Sequence, residues 1–131
     1  MAETMQFDLV SPEKSLGSFQ ASEVQVPGSE GDMTVLPLHA PVITTLRPGL
    51  VVAKSPDGSQ EFIVTQGIAE ITAESVSIIA EQAFDRSEVT KADMEKVLEE
   101  ARAHAESVAG EEKLNAEKFV VEMVHFIEMM E

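Results

Sequence analysis

Residues 26–49 read VPGSEGDMTVLPLHAPVITTLRPG. This stretch holds four of the six prolines and three of the seven glycines, namely Pro27, Pro37, Pro41, Pro48, Gly28, Gly31 and Gly49. Proline fixes φ and lacks a backbone donor, and glycine permits positive φ, so a helix or a long uninterrupted strand is excluded here. Short strands joined by fixed turns are predicted. Such turns either merely connect strands or present a shaped edge to a partner, and the composition leaves both interpretations open.

The residues on either side alternate between apolar and polar side chains. Alternation occurs in four segments, residues 5–9, 24–26, 69–73 and 76–80. A period of two is typical of half-buried strands. The turn sequence Pro56-Asp57-Gly58 separates two apolar runs, so residues 50–65 predict a β-hairpin. The whole pattern predicts about eight to ten short strands in an antiparallel sandwich or barrel.

The pattern changes near Asp85, because the chain beyond Ser87 has no proline and only one glycine, Gly110. Thr90 and Asp93 have the spacing of a helix-capping box. Apolar residues then recur at the spacing of one helix face, at Met94, Val97, Leu98, Ala101, Ala105 and Val108. We predict a first helix that Gly110 ends and a second helix that starts at about residue 111, packed as an antiparallel hairpin.

These two patterns divide the 131-residue chain. The predicted fold class is α+β, with an N-terminal antiparallel β-sandwich or barrel at residues 1–84 and a C-terminal α-helical hairpin at residues 85–131. The strand pattern is complete at Ala80, so we expect the β part to fold alone. Two helices of about 20 residues are marginal by themselves and have to dock on the β domain or on a partner.

Charge excludes several classes of partner. The chain has 24 acidic and 9 basic residues, a formal net charge of −15, which disfavours binding to nucleic acid or to an anionic membrane surface. It has no cysteine, so disulfides and thiol chemistry are excluded. The first ten residues lack a basic region, so we expect no signal peptide. No apolar run approaches the ~20 residues of a membrane span.

No group of residues has the pattern of a catalytic, metal or cofactor site. His39, His104 and His125 are far apart in sequence and lack metal-ligand spacing. The GSEG sequence at residues 28–31 is not followed by Gly-Lys-Ser or Gly-Lys-Thr, so it is not a phosphate-binding loop. No nucleophile is paired with a base. We therefore predict no catalytic residue, no metal and no cofactor.

The opening stretch also contains an ordered set of motifs: PGSEGD, then LP, HAP, TTL and PG. Their order and spacing resemble the signature of the epsilon-subunit family of F-type ATP synthases, which reads roughly PGxxGDFGILPGHAPLLTxLxPG. Thr34 and Leu38 depart from it, since the family usually has glycine at both positions. The resemblance extends over the whole chain, as a β-rich first part followed by a short helical second part.

The resemblance implies a non-catalytic subunit of the central rotor stalk, which couples proton-driven rotation of the c-ring and gamma subunit to ATP synthesis. In that family the β-sandwich binds the gamma subunit and rests against the polar loops of the c-ring. A peripheral location on the cytoplasmic face of the bacterial inner membrane, without insertion into the membrane, is implied as well. The implied c-ring or gamma contacts are Glu30, Gly31, Asp32, His39 and Pro41.

In the same family the C-terminal hairpin can extend between the alpha and beta subunits and block ATP hydrolysis. Some members bind ATP through an I/L-D-x-x-R-A motif, which falls here on residues 89–94. Val89, Thr90 and Asp93 depart from that motif, because Val89 stands where it has Ile or Leu, Thr90 replaces its aspartate and Asp93 replaces its arginine. An acid cannot bind phosphate as an arginine does, so we expect no nucleotide site at these positions. Two functions stay open: a rotor subunit with weak inhibition of hydrolysis, and an ATP-sensing regulatory module that acts through the hairpin.

The charge of the hairpin bears on that inhibition. Residues 85–131 contain 13 acids and 6 bases. The resemblance implies that an extended hairpin lies beside an acidic loop of the catalytic subunits. Like charges oppose such docking, so we expect the hairpin to rest folded down and to inhibit hydrolysis weakly.

Overall fold

A computed structural model describes residues 3–130 of the chain. Its strands are β1 (Met5–Val10), β2 (Ser15–Ala21), β3 (Glu23–Gly28), β4 (Gly31–Val35), β5 (Val42–Leu46), β6 (Gly49–Ser55), β7 (Gly58–Val64), β8 (Gly67–Ile71), β9 (Ser75–Ala80) and β10 (Ala83–Asp85). A short 3-10 helix (Arg86–Glu88) precedes the helices α1 (Lys91–Ser107) and α2 (Gly110–Met129). The predicted α+β class, with a β-rich first part and a helical hairpin, is confirmed.

All ten strands belong to one sheet in the described range, in the order β10-β7-β6-β3-β5-β8-β9-β1-β2, with β4 paired to β3. Every pairing is antiparallel except that of β1 with β9, which is parallel. The prediction of a purely antiparallel arrangement is wrong at this pair. Parallel neighbours need a long connection, and here seven other strands separate β1 from β9 along the chain.

Alternating side chains of the strands form the core of the β domain. In β1, Met5, Phe7 and Leu9 are buried, and the residues between them are partly exposed. The ring of Phe7 lies 5.1 Å from that of Phe19 and 6.0 Å from that of Phe62, measured between centroids. Period-two patterning therefore places the apolar set of β1 on the inner face, as the sequence predicts.

The predicted hairpin at residues 50–65 is confirmed, with strands β6 and β7 paired from Gly49 and Val64 to Ser55 and Gly58. The Ser55 hydroxyl accepts a hydrogen bond from the Asp57 amide at 3.3 Å and donates one to the Gly58 carbonyl at 3.1 Å. These bonds fix the tight turn that the proline and glycine predict.

The two helices pack against each other in the hairpin, and their buried residues include Leu98, Ala101, Ala105, Ala116, Met123 and Ile127. The predicted end of the first helix is wrong. Helix α1 ends at Ser107, the backbone of Val108 and Ala109 is extended, and Gly110 is the first residue of α2. The two-residue connection makes the helices antiparallel neighbours.

Two compact units make up the chain, Met1–Ser87 and Glu88–Glu131. Strand β10 extends beyond residue 84, because Asp85 pairs with Phe62 of β7. Independent folding of the β unit stays a prediction. Neither helix in residues 3–130 has the length and apolar character that crossing a membrane requires.

Candidate functional site

The first group of predicted contact residues lies at the turn between β3 and β4. The backbone pairs Gly28 with Gly31 and Pro27 with Asp32, which leaves Ser29 and Glu30 at the tip. A Cβ atom at Gly28 would lie 2.9 Å from the Gly31 carbonyl oxygen, closer than real side chains approach. Glycine is therefore required for this tight turn, and the turn presents Glu30, Gly31 and Asp32 as exposed residues.

The position of Asp32 after Gly31 predicts a place on the turn, but Asp32 is the second residue of strand β4. Its side chain is 81% exposed, and Oδ1 lies 2.5 Å from Nη2 of Arg47, whose side chain is 32% exposed. Nη1 of Arg47 donates a second bond to the Gly28 carbonyl at 3.2 Å. One guanidinium thus joins the turn to the Asp32 carboxylate.

Backbone bonds fasten the same turn to the segment after β5. The Ser29 amide donates to the Thr45 carbonyl at 2.9 Å, and the Arg47 amide donates to the Pro27 carbonyl at 3.1 Å. Sequence reasoning missed Arg47. The available signal was that Arg47 is the only base between Lys14 and Lys54.

His39 and Pro41 lie in the connection between β4 and β5. The Leu38 amide donates to the Ala73 carbonyl at 2.8 Å, and the His39 amide donates to the Leu36 carbonyl at 3.2 Å. The His39 ring nitrogen Nδ1 lies 2.7 Å from the Ala40 carbonyl oxygen. Leu38 has a φ of 70° and is 69% exposed, so this connection is tightly wound and presents an apolar side chain.

The five predicted residues do not form one cluster. Leu46, at one end of β5, pairs with Gly28 of the β3–β4 turn. Val42, at the other end, pairs with Ile71, next to the segment that holds Leu38. The length of β5 therefore separates the two groups by about 13 Å, at ~3.3 Å per residue. Glu30, Gly31 and Asp32 lie at one end, and His39 and Pro41 lie at the other.

A third feature is a row of uncharged side chains across the outer face of four strands, which we call the apolar row: Thr45, Ile68, Ile79 and Val10. The backbone pairs Thr45 with Ile68, Ile68 with Ile79, and Ile79 with Val10. Ile68 is 49% exposed and Ile79 is 59% exposed. Residues Thr45, Ile68 and Ile79 also line an open depression with Pro12. Apolar residues at the outward positions of β8 and β9 were the sequence signal for this row.

Thr90 and Asp93, at the position of the family's ATP motif, bond to each other. The Thr90 amide donates to Oδ2 of Asp93 at 2.9 Å, and the Asp93 amide donates to Oγ1 of Thr90 at 3.2 Å. The hydrogen bonds from the Thr90 backbone and side chain lower the pKa of Asp93 below its ordinary value. Both side chains therefore serve as the cap of α1.

The described residues also bear on metal binding. Within residues 3–130, no three His, Cys, Asp or Glu side chains lie close enough to hold a metal ion.

Comparison with known proteins identifies the family. The model of the ATP synthase delta/epsilon chain, β-sandwich domain, matches residues 4–86. The chain belongs to the ATP synthase delta/epsilon family. An ATP synthase epsilon chain of Ruegeria sp. is 58% identical over 78% of this chain and 74% of its own length. The epsilon chain of Paracoccus denitrificans is 46% identical over 100% of this chain and 88% of its own length.

Solved structures agree on the fold. A chain of the Euglena gracilis mitochondrial ATP synthase, described as OSCP/F1/c-ring, has a TM-score of 0.69 and 22% identity over 95% of this chain and 78% of its own. A chain of the Tetrahymena thermophila mitochondrial enzyme, described as central stalk/c-ring, has a TM-score of 0.65 and 19% identity over 96% of this chain and 95% of its own. Family membership makes this chain an epsilon subunit of F-type ATP synthase, a non-catalytic part of the complex.

Proposed function

We propose that this epsilon subunit joins the gamma subunit to the polar loops of the c-ring, as a peripheral protein on the cytoplasmic face of the bacterial inner membrane. Its β domain carries two different kinds of exposed surface, which suit two different partners. One is the apolar row, and the other is the polar turn at Glu30, Gly31 and Asp32. The observation that carries the proposal is the direct pairing of exposed Ile68 with exposed Ile79.

The apolar row is assigned to the gamma subunit. None of its four members is charged, although the chain as a whole has a net charge of −15. An exposed apolar strip on such a chain is typical of a lasting protein interface, whose centre excludes charge. Exposed Ile43 lies two residues from Thr45 on the same face of β5 and extends the strip toward His39 and Pro41, with the exposed Glu70 of β8 beside it at the edge of the strip. These two residues are therefore assigned to the gamma side.

The polar turn is assigned to the c-ring loops. Its carboxylate is exposed on a backbone that two hydrogen bonds and an ion pair hold in place. A preordered turn loses little conformational entropy on binding, so more of the contact energy remains for the interface. An acid of this kind fits a hydrogen-bond donor on a polar loop.

The test is the affinity of the full chain for the gamma subunit. Ile68→Ser removes one side chain at the centre of the apolar row, and we expect a loss of about tenfold, the effect of one well-packed apolar anchor. Leu50→Ser is the matched control, because Leu50 is an exposed leucine on β6, which is not adjacent to β8 or β9. Equal affinities of the two variants would contradict the assignment.

The ATP-sensing alternative receives no support from the start of α1. Thr90 and Asp93 use their polar groups on each other, and an acid stands where phosphate binding needs an arginine. Titration of the full chain with ATP, followed by calorimetry, separates the two functions. Saturable binding at cellular ATP concentrations would favour the regulatory module.

A further inference from the structure

Arg47 reaches across from the end of β5 to a turn that lies 15 to 19 residues earlier in the chain. Its Nη1 bonds to the Gly28 carbonyl at 3.2 Å, and its Nη2 bonds to Oδ1 of Asp32 at 2.5 Å. A guanidinium has donors in a fixed planar fork. Because the two bonds hold neighbouring points of one turn, they fix the place of the carboxylate relative to the backbone.

The side chain of Arg47 is not needed to form the turn. Backbone bonds already join Ser29 to Thr45 and Arg47 to Pro27, and the β3–β4 pairing is continuous from Val24 to Gly28. The Asp32 end of the ion pair is 81% exposed and the Arg47 side chain is 32% exposed, and an ion pair that solvent reaches contributes little to folding stability. The effect of the Arg47 side chain is therefore local: it acts on the orientation of the Asp32 carboxylate.

Only one oxygen of the carboxylate is used by Arg47. In the described part of the chain, the hydrogen bond to Asp32 runs to Oδ1. Oδ2 is left for a donor outside the chain. The bond to Oδ1 favours one rotamer of the exposed carboxylate, in which Oδ2 carries no bond from Arg47.

We propose that Arg47 is a positioning residue that orients the Asp32 carboxylate toward a hydrogen-bond donor of the c-ring loops. This inference rests on the proposed contact between Asp32 and the c-ring. It adds that the contact depends on a second residue of this chain, which touches the turn and not the ring.

The experiment measures the apparent Kd of the full chain for a gamma–c-ring assembly that lacks this subunit, together with the melting temperature of the free chain. Arg47→Ala is expected to weaken binding about fivefold, the effect of losing one hydrogen bond of ordinary net strength. Arg47→Lys keeps the charge without the fork, so it should weaken binding only about twofold. Both variants should melt within about 2 °C of the wild type, because solvent reaches the Asp32 carboxylate and the backbone bonds of the turn remain.

Lys54→Ala provides the matched control. Lys54 forms an exposed cross-strand ion pair with Glu23 at 3.1 Å, away from the turn. Its loss should leave the Kd unchanged. A drop in affinity as large as that of Arg47→Ala would show that any lost surface charge weakens binding, and would overturn the inference.

Exchanging the charges of residues 32 and 47 tests whether binding needs the oriented carboxylate at position 32 or only an ion pair between the two positions. The double variant Asp32→Arg with Arg47→Asp rebuilds an ion pair but removes the acceptor from position 32, so binding should stay weak. Full recovery of affinity in this variant would overturn the positioning role. The Asp32→Ala variant tests the proposed contact by itself. If Asp32→Ala leaves the Kd unchanged, the contact between Asp32 and the c-ring is wrong. If Asp32→Ala weakens binding but Arg47→Ala does not, only the inference about Arg47 is wrong.

Discussion

Leu38 shows at the scale of one residue how the chain departs from its family. Its φ of 70° lies in the left-handed region, which glycine adopts without the Cβ clash that other residues suffer. The family signature that residues 26–49 resemble has glycine at this position. The bond from the Leu38 amide to the Ala73 carbonyl holds the backbone in this conformation despite the leucine side chain.

Leu38→Gly is therefore expected to stabilise the chain by about 0.5 kcal/mol, because relief of the left-handed conformation (~1–2 kcal/mol) exceeds the entropy that glycine adds to the unfolded chain (~0.5–1 kcal/mol). The free energy of unfolding in urea measures this. Leu36→Gly is the control, since Leu36 is also an exposed leucine of the same connection but has no positive φ. There glycine should lower stability, because the unfolded chain gains freedom. Loss of stability in both variants would show that Leu38 is not strained.

The residues of the candidate site also differ in how well the sequence alone predicts their role and their contacts. Asp32 and His39 belong to a motif with fixed spacing, so they could be named in advance. The partnership of Asp32 with Arg47 could not, because it depends on Leu46 lying beside Gly28 across the sheet. The separation of His39 from Asp32 could not be predicted for the same reason. The two residues are seven apart in sequence, but they lie near opposite ends of β5, and only the folded sheet shows this.

At the scale of elements, local patterns predicted the strands and the capped start of α1 well. The β6–β7 hairpin and the Thr90–Asp93 cap depend on residues close in sequence, so short-range chemistry determines them. The end of α1 was missed because the rule that glycine follows a helix directly does not hold here. Two extended residues, Val108 and Ala109, stand between α1 and Gly110.

The cap of α1 predicts an acid-sensitive helix. Hydrogen bonds from Thr90 lower the pKa of Asp93, and those from the Ser87 hydroxyl and amide lower the pKa of Asp85. A carboxylate whose pKa is lower in the folded state stabilises that state at pH values above its unfolded pKa. This contribution is lost as the pH falls from about 4 through the lower folded value. Helix content should therefore fall in that range.

Far-UV circular dichroism of wild type and Asp93→Asn between pH 5 and pH 2.5 measures the effect, over the range in which paired carboxylates titrate. Asp93→Asn should lose less helix on acidification, because its side chain cannot be protonated. Glu95→Gln, on the same helix, serves as the control and should follow the wild type. Identical curves for wild type and Asp93→Asn would rule out the cap as the source of acid sensitivity.

At the scale of the whole molecule, the chain combines a β unit with its own core and a strongly acidic hairpin. The core cluster is made of strand residues, from Met5 to Ala83. The hairpin buries few large side chains of its own. We therefore expect the β unit to fold without the hairpin, and from the charge of the hairpin we expect it to inhibit hydrolysis weakly.

Deletion of residues 88–131 tests both expectations. The remaining β unit should melt cooperatively and still bind the gamma subunit, because its core and the apolar row are retained. ATP hydrolysis by the complex should rise by much less than tenfold, a change that corresponds to ~1.4 kcal/mol. The acidic hairpin is expected to dock poorly beside an acidic loop. An insoluble β unit would contradict the first expectation, and a tenfold rise in hydrolysis would contradict the second.

The parallel pairing of β1 with β9 has a consequence for the nascent chain during translation. Gln6 meets Ser75, which is made 69 residues later. At about 5–20 residues per second, roughly 3–14 s of translation separate the two strands. During that interval β1 is paired along one edge only, with β2, and an isolated two-stranded hairpin is at best marginally stable in water. The sheet therefore cannot be completed until nearly the whole β unit has been synthesised. In the cell, one edge of β1 stays unpaired until its partner at the far end of the domain has been made.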